Sequence, residues 1–210
     1  MASTDPAEVE QQLWQDQTGT VGLDIGARCG ESIEDFKRCG FTDITCFEPS
    51  PKAFEVLLPY ALKHGVRSHQ LAISDHSGVQ KLFSVPRAMA KGELVSDVDG
   101  SMEWSPADWA TAESVTVGCL SLDTYCAMHG IPDLIKVDVE GHESRVLAGA
   151  YTVLLARSTN WIVEFHSPMN HVTCLNLFEA NGYRITVIRH PHYAPGSPMW
   201  HQHGWIRADR

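Results

Sequence analysis

Residues Thr20–Ser32 read TVGLDIGARCGES, an aliphatic run that carries one acid near its end and then breaks into a glycine-bracketed turn. Val21, Leu23 and Ile25 supply strand residues, Asp24 stands near the strand's end, and Gly26 and Gly30 bracket a loop that Glu31 and Ser32 turn into a helix. The reading is strand, ligand loop, helix. Glycine suits both loop positions because a missing Cβ permits positive φ and lets a ligand approach the main chain, while the first amides of the following helix stay unpaired and electropositive. A plain strand-to-helix turn would use glycine in the same way. The spacing D-x-G-x-x-x-G departs from the G-x-G-x-x-G of nicotinamide dehydrogenases, because Asp24 stands where their first glycine would be. An acid there repels a pyrophosphate and suits a ligand that carries an ammonium group.

Upstream, Asp5-Pro6 offers an N-cap and a proline at the first helical position, so Ala7–Gln15 is expected to be a short helix. Downstream, Ser32–Arg38 is expected to be the first long helix and Asp43–Phe47 the second strand, which stops at Glu48-Pro49. Glu48 lies 24 positions after Asp24, the length of one strand–helix–strand unit. An acid there can accept hydrogen bonds from ribose hydroxyls, or it can serve as an N-terminal acid for the helix Pro51–Lys63. Val66–Ser74 reads as a third strand, and Val79–Val85 as a strand whose partner the pattern does not name. From Pro86 to Ser114 periodicity disappears, and such a long irregular connection reads either as a lid over the pocket or as a solvent-exposed hairpin insertion.

Val115–Leu120 resumes strand character, Ser121–His129 is a helix, and Asp133–Val139 is a near-continuous apolar strand that suits a central parallel position. Lys136 interrupts it and would need a partner. A helix over Ser144–Leu155 and a strand over Asn160–Phe165 follow. Two neighbouring strands thus deliver Asp138, Glu140, His142 and Glu143 on one side, and Glu164 and His166 on the other, to the edge where open α/β sheets place ligands. Gly182–Arg189 and Gly204–Ala208 form the closing antiparallel pair. The loop between them carries His190, His192, His201 and His203, which we read as a solvated lip of the acceptor pocket rather than a structural zinc site.

At 210 residues and 43% hydrophobic content the chain can bury one core, so a single domain over 1–210 is expected. A formal charge of −10 argues against a nucleic-acid partner or an anionic membrane surface. Six cysteines without a C-x-x-C pair look like reduced thiols. The absence of an eighteen-residue apolar run and of a signal-like N-terminus points to a cytosolic protein. Trp104 and Trp109 make a homodimer contact reasonable.

The blocks LDIGARCGES, CFEPSPKAFEVL, LAISDHSG, VGCLSLDTY and above all DLIKVDVEGHESRVLAGA resemble the FkbM family of S-adenosylmethionine-dependent methyltransferases, over about Val21 to Pro168. The resemblance implies a Rossmann-like class I sheet of seven strands, mostly parallel with an antiparallel last strand, and helices on both faces. It implies that Asp24 holds the methionine ammonium end and that Glu48 takes the ribose hydroxyls. Ala72 and Ile73, and less directly Asp75, would line the adenine. Gly26, Arg28, Gly30, Ser32, Pro49 and Asp138 complete the expected cofactor set, with Arg28 a departure from the family's usual asparagine.

Methyl transfer from a sulfonium is an in-line displacement, so the protein must align the acceptor and, for a hydroxyl, remove its proton late. The catalytic candidates are His142, Asp138, Glu140, His166 and Glu164. His142, at a helix start that would keep its imidazole neutral, is the first choice of general base, with helix capping as its alternative. Asp138, Glu164 and His166 are candidate ligands for a divalent metal (Mg²⁺, Mn²⁺ or Fe²⁺) that would polarise the acceptor. The expected function is O-methylation of a small-molecule or sugar hydroxyl. N-methylation of a small amine, or a catalytically silent module that only binds the cofactor, are the alternatives.

Overall fold

Side chains of the central strands alternate between two cores, one on each side of the sheet. Leu23 and Ile25 of β1 (Val21–Ile25) join Phe47, Ile135 and Val163 in one core, while Ile44, Cys46, Leu134 and Ile162 join the other. The computed structural model describes residues 6–84, 113–190 and 203–210. The expected lid at 86–114 lies outside the described residues as far as residue 112, its last two residues belonging to a strand; the loop residues His192 and His201 also lie outside, as do Trp104 and Trp109 with the dimer contact expected of them.

The remaining strands are β2 (Asp43–Phe47), β3 (Arg67–His69), β4 (Ala72–Ser74), β5 (Gly78–Ser84), β6 (Glu113–Ser121), β7 (Leu134–Val137), β8 (Asn160–Phe165), β9 (Arg184–Arg189) and β10 (Gly204–Asp209). Seven of the ten described strands, β1 included, form one sheet in the order β3-β2-β1-β7-β8-β10-β9. Neighbours are parallel except around β10, which runs antiparallel to both β8 and β9. The helices α1 (Pro6–Trp14), α2 (Ile33–Arg38) and α3 (Pro51–His64) cover one face through Leu13, Phe36 and Leu57. The other face is covered by α4 (Leu122–His129), α5 (Glu143–Ala148), α6 (Tyr151–Ala156) and α7 (Pro168–Ala180), through Tyr125, Leu147, Leu154 and Phe178. This is the Rossmann-like sheet expected from the sequence. The chain builds outward from β1 to β3, then returns and builds outward from β7 on the other side, so the strand order reverses between β1 and β7. Such a switch point opens a crevice at the carboxyl ends of the strands.

Four local expectations change. The helix after the glycine loop is not long: Ile33–Arg38 has six residues. Gly40 at φ +89° closes it, with Phe41 N donating to Phe36 O and Gly40 N to Lys37 O, a Schellman ending. Val66–Ser74 is two strands in two sheets. β2 ends at Phe47, Glu48 N still donates to His69 O, and Pro49 beyond has no amide hydrogen, so β3 loses its partner after His69 and the chain moves on to pair β4 with β6 in a second sheet, ordered β4-β6-β5. Ser144–Leu155 is broken into α5 and α6 at Gly149, where a Cβ would come within 2.0 Å of Ser74 O. Asp123 of α4 restarts the helix by accepting from Thr152 N and Val153 N. Finally, α7 had no counterpart in the sequence reading, although Ser167 caps it by accepting from Asn170 N and Pro168 stands at its first position.

The partner of Val79–Val85 is β6, with Ser84 opposite Glu113, so the two ends of the undescribed connection stand side by side on a hairpin. All six cysteines are free thiols, four of them buried. Among the described residues no helix is long and apolar enough to cross a membrane.

Candidate active site

The crevice between β1 and β7 is a cleft of about 600 Å³, counted with its open mouth. Its floor is main chain. Gly26 sits at φ +80°, and a Cβ there would lie 1.8 Å from Asp138 O, so only glycine lets the loop after β1 lie against the turn after β7. The amides of Gly26 and Ala27 both donate to Phe47 O, which ties the same loop to the end of β2.

Glu48 and Pro49 form one wall. Glu48 Oε2 accepts from Arg28 N at 2.9 Å and Oε1 from Ser50 N at 2.7 Å, so main-chain donors aim the carboxylate. Burial pushes its pKa up to about 7, against those two hydrogen bonds. Ser50, rather than Glu48, caps α3 by accepting from Ala53 N. The apolar part of the lining is formed by Phe47, Leu71, Ala72, Ile73 and Leu82. Ala72 and Ile73, expected beside an adenine, line the cleft, and Phe47, Leu71 and Leu82, which the sequence reading did not name, join them.

The remaining cofactor candidates stand one layer behind. Asp24 is fully buried and does not line the cleft; neither of its oxygens makes a hydrogen bond among the described residues. Its counter-charge is Lys136, whose Nζ lies 3.7 Å from Asp24 Oδ1 and 3.2 Å from Asp138 Oδ2. This is the partner that Lys136 needed. Burial raises the Asp24 pKa to about 6, with Lys136 opposing the rise. Gly30, at φ +93°, packs against Tyr60, Ile33 and Leu57, and Ser32 is buried at the start of α2. Asp75 is engaged with His76 and Arg145, away from the cleft.

Arg28 lines the cleft and pairs with Glu31 at 3.2 Å. The fourth side of the cleft is polar, made by Asp138 and Glu140. Behind them stands His166, whose Nδ1 meets Glu143 Oε1 at 2.7 Å. Glu143 is fully buried and also accepts from Gly141 N and Asn170 Nδ2. His166 Nε2 faces Asp138 Oδ1, Glu140 Oε2 and Glu164 Oε1 at 3.7, 3.7 and 3.8 Å. Burial disfavours a charged ring, but the Glu143 hydrogen bond and the surrounding carboxylates outweigh it and lift the pKa to about 10. Burial also raises Glu164, which accepts from Trp205 Nε1 at 2.9 Å. His203, at the end of the histidine loop, stands edge-on to His166 with ring centroids 5.5 Å apart.

His142 is the correction. It is buried, its Nε2 lies 2.9 Å from Ser74 Oγ, and it does not line the cleft. Its side chain is turned towards Ser74 of β4, so it braces the second sheet. Its side chain does not cap α5 either. The expected metal trio also shifts: among the described residues the ligand atoms that converge within 4.8 Å belong to Asp138, Glu140 and His166.

A family model described as the methyltransferase FkbM domain matches residues 24–185. This chain belongs to the FkbM methyltransferase family. It is 28% identical over 204 residues to the 31-O-demethyl-FK506 methyltransferase FkbM of Streptomyces tacrolimicus, covering 84% of this chain and 77% of that protein. Among solved structures it resembles the methyltransferase FkbM of Methylobacillus flagellatus KT, with TM-score 0.62 and 14% identity. That likeness covers 91% of this chain but only 44% of the other, so the chain spans less than half the length of that relative. It also resembles a precorrin 8w decarboxylase of Methanobacterium thermoautotrophicum, with TM-score 0.55, 11% identity, and 98% and 91% of the two chains covered. Because proteins named for different reactions share this fold, the reaction must be argued from the cleft. FkbM membership carries S-adenosylmethionine as the cofactor.

The cleft fits that group. Glu48 offers an aimed carboxylate for a diol, the apolar slot suits a flat heterocycle, and the bare glycine floor admits close approach.

Proposed function

We propose that this FkbM protein methylates a hydroxyl oxygen of a small molecule or a sugar. The observation that carries the reading is the mixed lining of one cleft: Glu48 and an apolar slot together with Asp138 and Glu140, with His166 beside those two acids. Bound S-adenosylmethionine supplies an electrophilic methyl group. The chain's own work is then to hold the ribose on Glu48 and the adenine between Ile73 and Leu82, and to orient an acceptor. Lys136 and His166 hold the Asp138 pKa below the usual carboxylate range in spite of its burial, so Asp138 is an ionised acceptor facing the cleft. It can orient an acceptor hydroxyl and take its proton late in the displacement. His166 stands behind that carboxylate, with Nε2 3.7 Å from Asp138 Oδ1 and Nδ1 engaged by Glu143, so it orients the acid and does not itself meet the acceptor. The name of the S. tacrolimicus relative, which specifies an O-methyl group, supports a hydroxyl acceptor.

A second reading rests on the same acids. Asp138, Glu140 and Glu164 on one edge also suit an amine that arrives as an ammonium, which must lose a proton before methylation. The test is transfer of a labelled methyl group to two matched panels, hydroxylated small molecules and sugars against amines, with the labelled atom of each product identified. Label on oxygen is the expected result. Label on nitrogen overturns the hydroxyl reading, and failure to bind either S-adenosylmethionine or its demethylated product overturns both.

A further inference from the structure

Three carboxylates and one imidazole meet behind the polar end of the cleft, and their spacing is not that of a hydrogen-bonded group. The distances from His166 Nε2 to Asp138, Glu140 and Glu164 are 3.7, 3.7 and 3.8 Å, each too long for a hydrogen bond. They match the separation of neighbouring ligands around one ion: with metal–ligand bonds of about 2.1 Å, such atoms stand roughly 3 to 4 Å apart. We propose that Asp138, Glu140 and His166 Nε2 form a divalent-metal centre, with Glu164 in reach as a fourth ligand.

The arrangement behind the imidazole supports this. Glu143 is fully buried and takes His166 Nδ1 at 2.7 Å, which leaves Nε2 directed at the three carboxylates. Glu143 is itself held by Gly141 N and by Asn170 Nδ2. A carboxylate behind a histidine that fixes ring orientation is the usual outer shell of an imidazole metal ligand. One imidazole among carboxylates suits Mn²⁺, Fe²⁺ or Zn²⁺ better than Ca²⁺. The place is also chemically useful, because Asp138 and Glu140 line the cleft, so an ion between them would bear on an acceptor oxygen and lower its pKa. This last role rests on the hydroxyl reading proposed above. The binding site does not.

The full chain, stripped of metal, is titrated with Mn²⁺ alone while free Mn²⁺ is followed by its paramagnetic resonance signal. One saturable site per chain is expected. Glu140→Gln and His166→Gln are expected to weaken it at least tenfold, Glu143→Gln by roughly tenfold, and Glu55→Gln on the exposed face of α3 not at all. Glu140 is half exposed, so its variant keeps the test open even if His166→Gln destabilises the fold, which circular dichroism reports. Absence of saturable Mn²⁺ binding, or binding that Glu140→Gln and His166→Gln leave unchanged, overturns the centre. Binding of the demethylated cofactor product, measured separately in chelator, distinguishes the two proposals: retained there with no Mn²⁺ site, it leaves the methyltransferase reading standing and removes only the metal.

Discussion

The two corners of the crevice solve the same problem differently. At the β1–β2 corner the working acid, Glu48, is aimed by main-chain amides of Arg28 and Ser50, close in sequence. At the β7–β8 corner Asp138, Glu140 and Glu164 are arranged around side chains: Lys136, His166 and, behind the ring, Glu143 and Asn170. Main-chain aiming survives substitution of the neighbours, whereas side-chain aiming does not. Under the proposed function the first corner is the cofactor wall and the second is where the acceptor is oriented.

The sharpest way to break the contrast is His166→Ala. It should lower turnover by about a hundredfold to ten-thousandfold, the range of an acid–base or positioning loss in a site, while cofactor affinity changes little; a matching loss of affinity would mean that the corners are one unit. Next is Lys136→Met, which strands Asp24 in the core. Breaking such a buried pair costs about 3–5 kcal/mol, and denaturant unfolding measures it. Adding Asp24→Leu should recover part of that loss. If Asp24→Asn alone abolished cofactor binding with the fold intact, Asp24 would have to be moved from the core to the cofactor wall.

Gly26→Ala should cost about 2–4 kcal/mol through positive φ and collision with Asp138 O, and calorimetric melting reads it. Glu48→Gln keeps the shape but removes the charge, so S-adenosylmethionine affinity should fall roughly tenfold to a hundredfold, the worth of hydrogen bonds to a charged group. The smallest effect is a pH slope. The Glu48 pKa, about 7 in the folded protein, is above its ordinary 4.5, so the folded chain keeps a proton that the unfolded chain has already released. Its contribution to stability is thus greatest below pH 4.5 and lost as pH rises through 7, while the ionised form that accepts ribose hydroxyls appears over the same range. Cofactor affinity should fall about tenfold from pH 8 to pH 6 and lose that dependence in Glu48→Gln.

The same contrast governs how much could be read from the chain. Strand alternation, the glycine loop and the acid at the end of β2 are local signals, and they placed the central strands, Gly26 and Glu48, while the seven-stranded sheet was what the family resemblance implied. The need of Lys136 for a partner was also legible, since a charge in an apolar strand cannot stand alone. His142 misled because a histidine at a helix start has the same local pattern whether it faces the cleft or, as here, Ser74 of a second sheet. That second sheet was itself hidden, because β4 and β6 are separated by β5 and the stretch 85–112 in sequence.

What the sequence determined by itself was periodic or short-range: most of the element types and the acids available at the carboxyl edge. Tertiary structure alone decided which of those acids face the cleft. Asp24 turned inward to Lys136, Glu48 outward under two amides, and Glu143 was committed to His166 and Asn170, 23 and 27 positions away. The reason is physical: a buried carboxylate takes its role from the charges and donors packed around it, and those come from wherever the fold brings them.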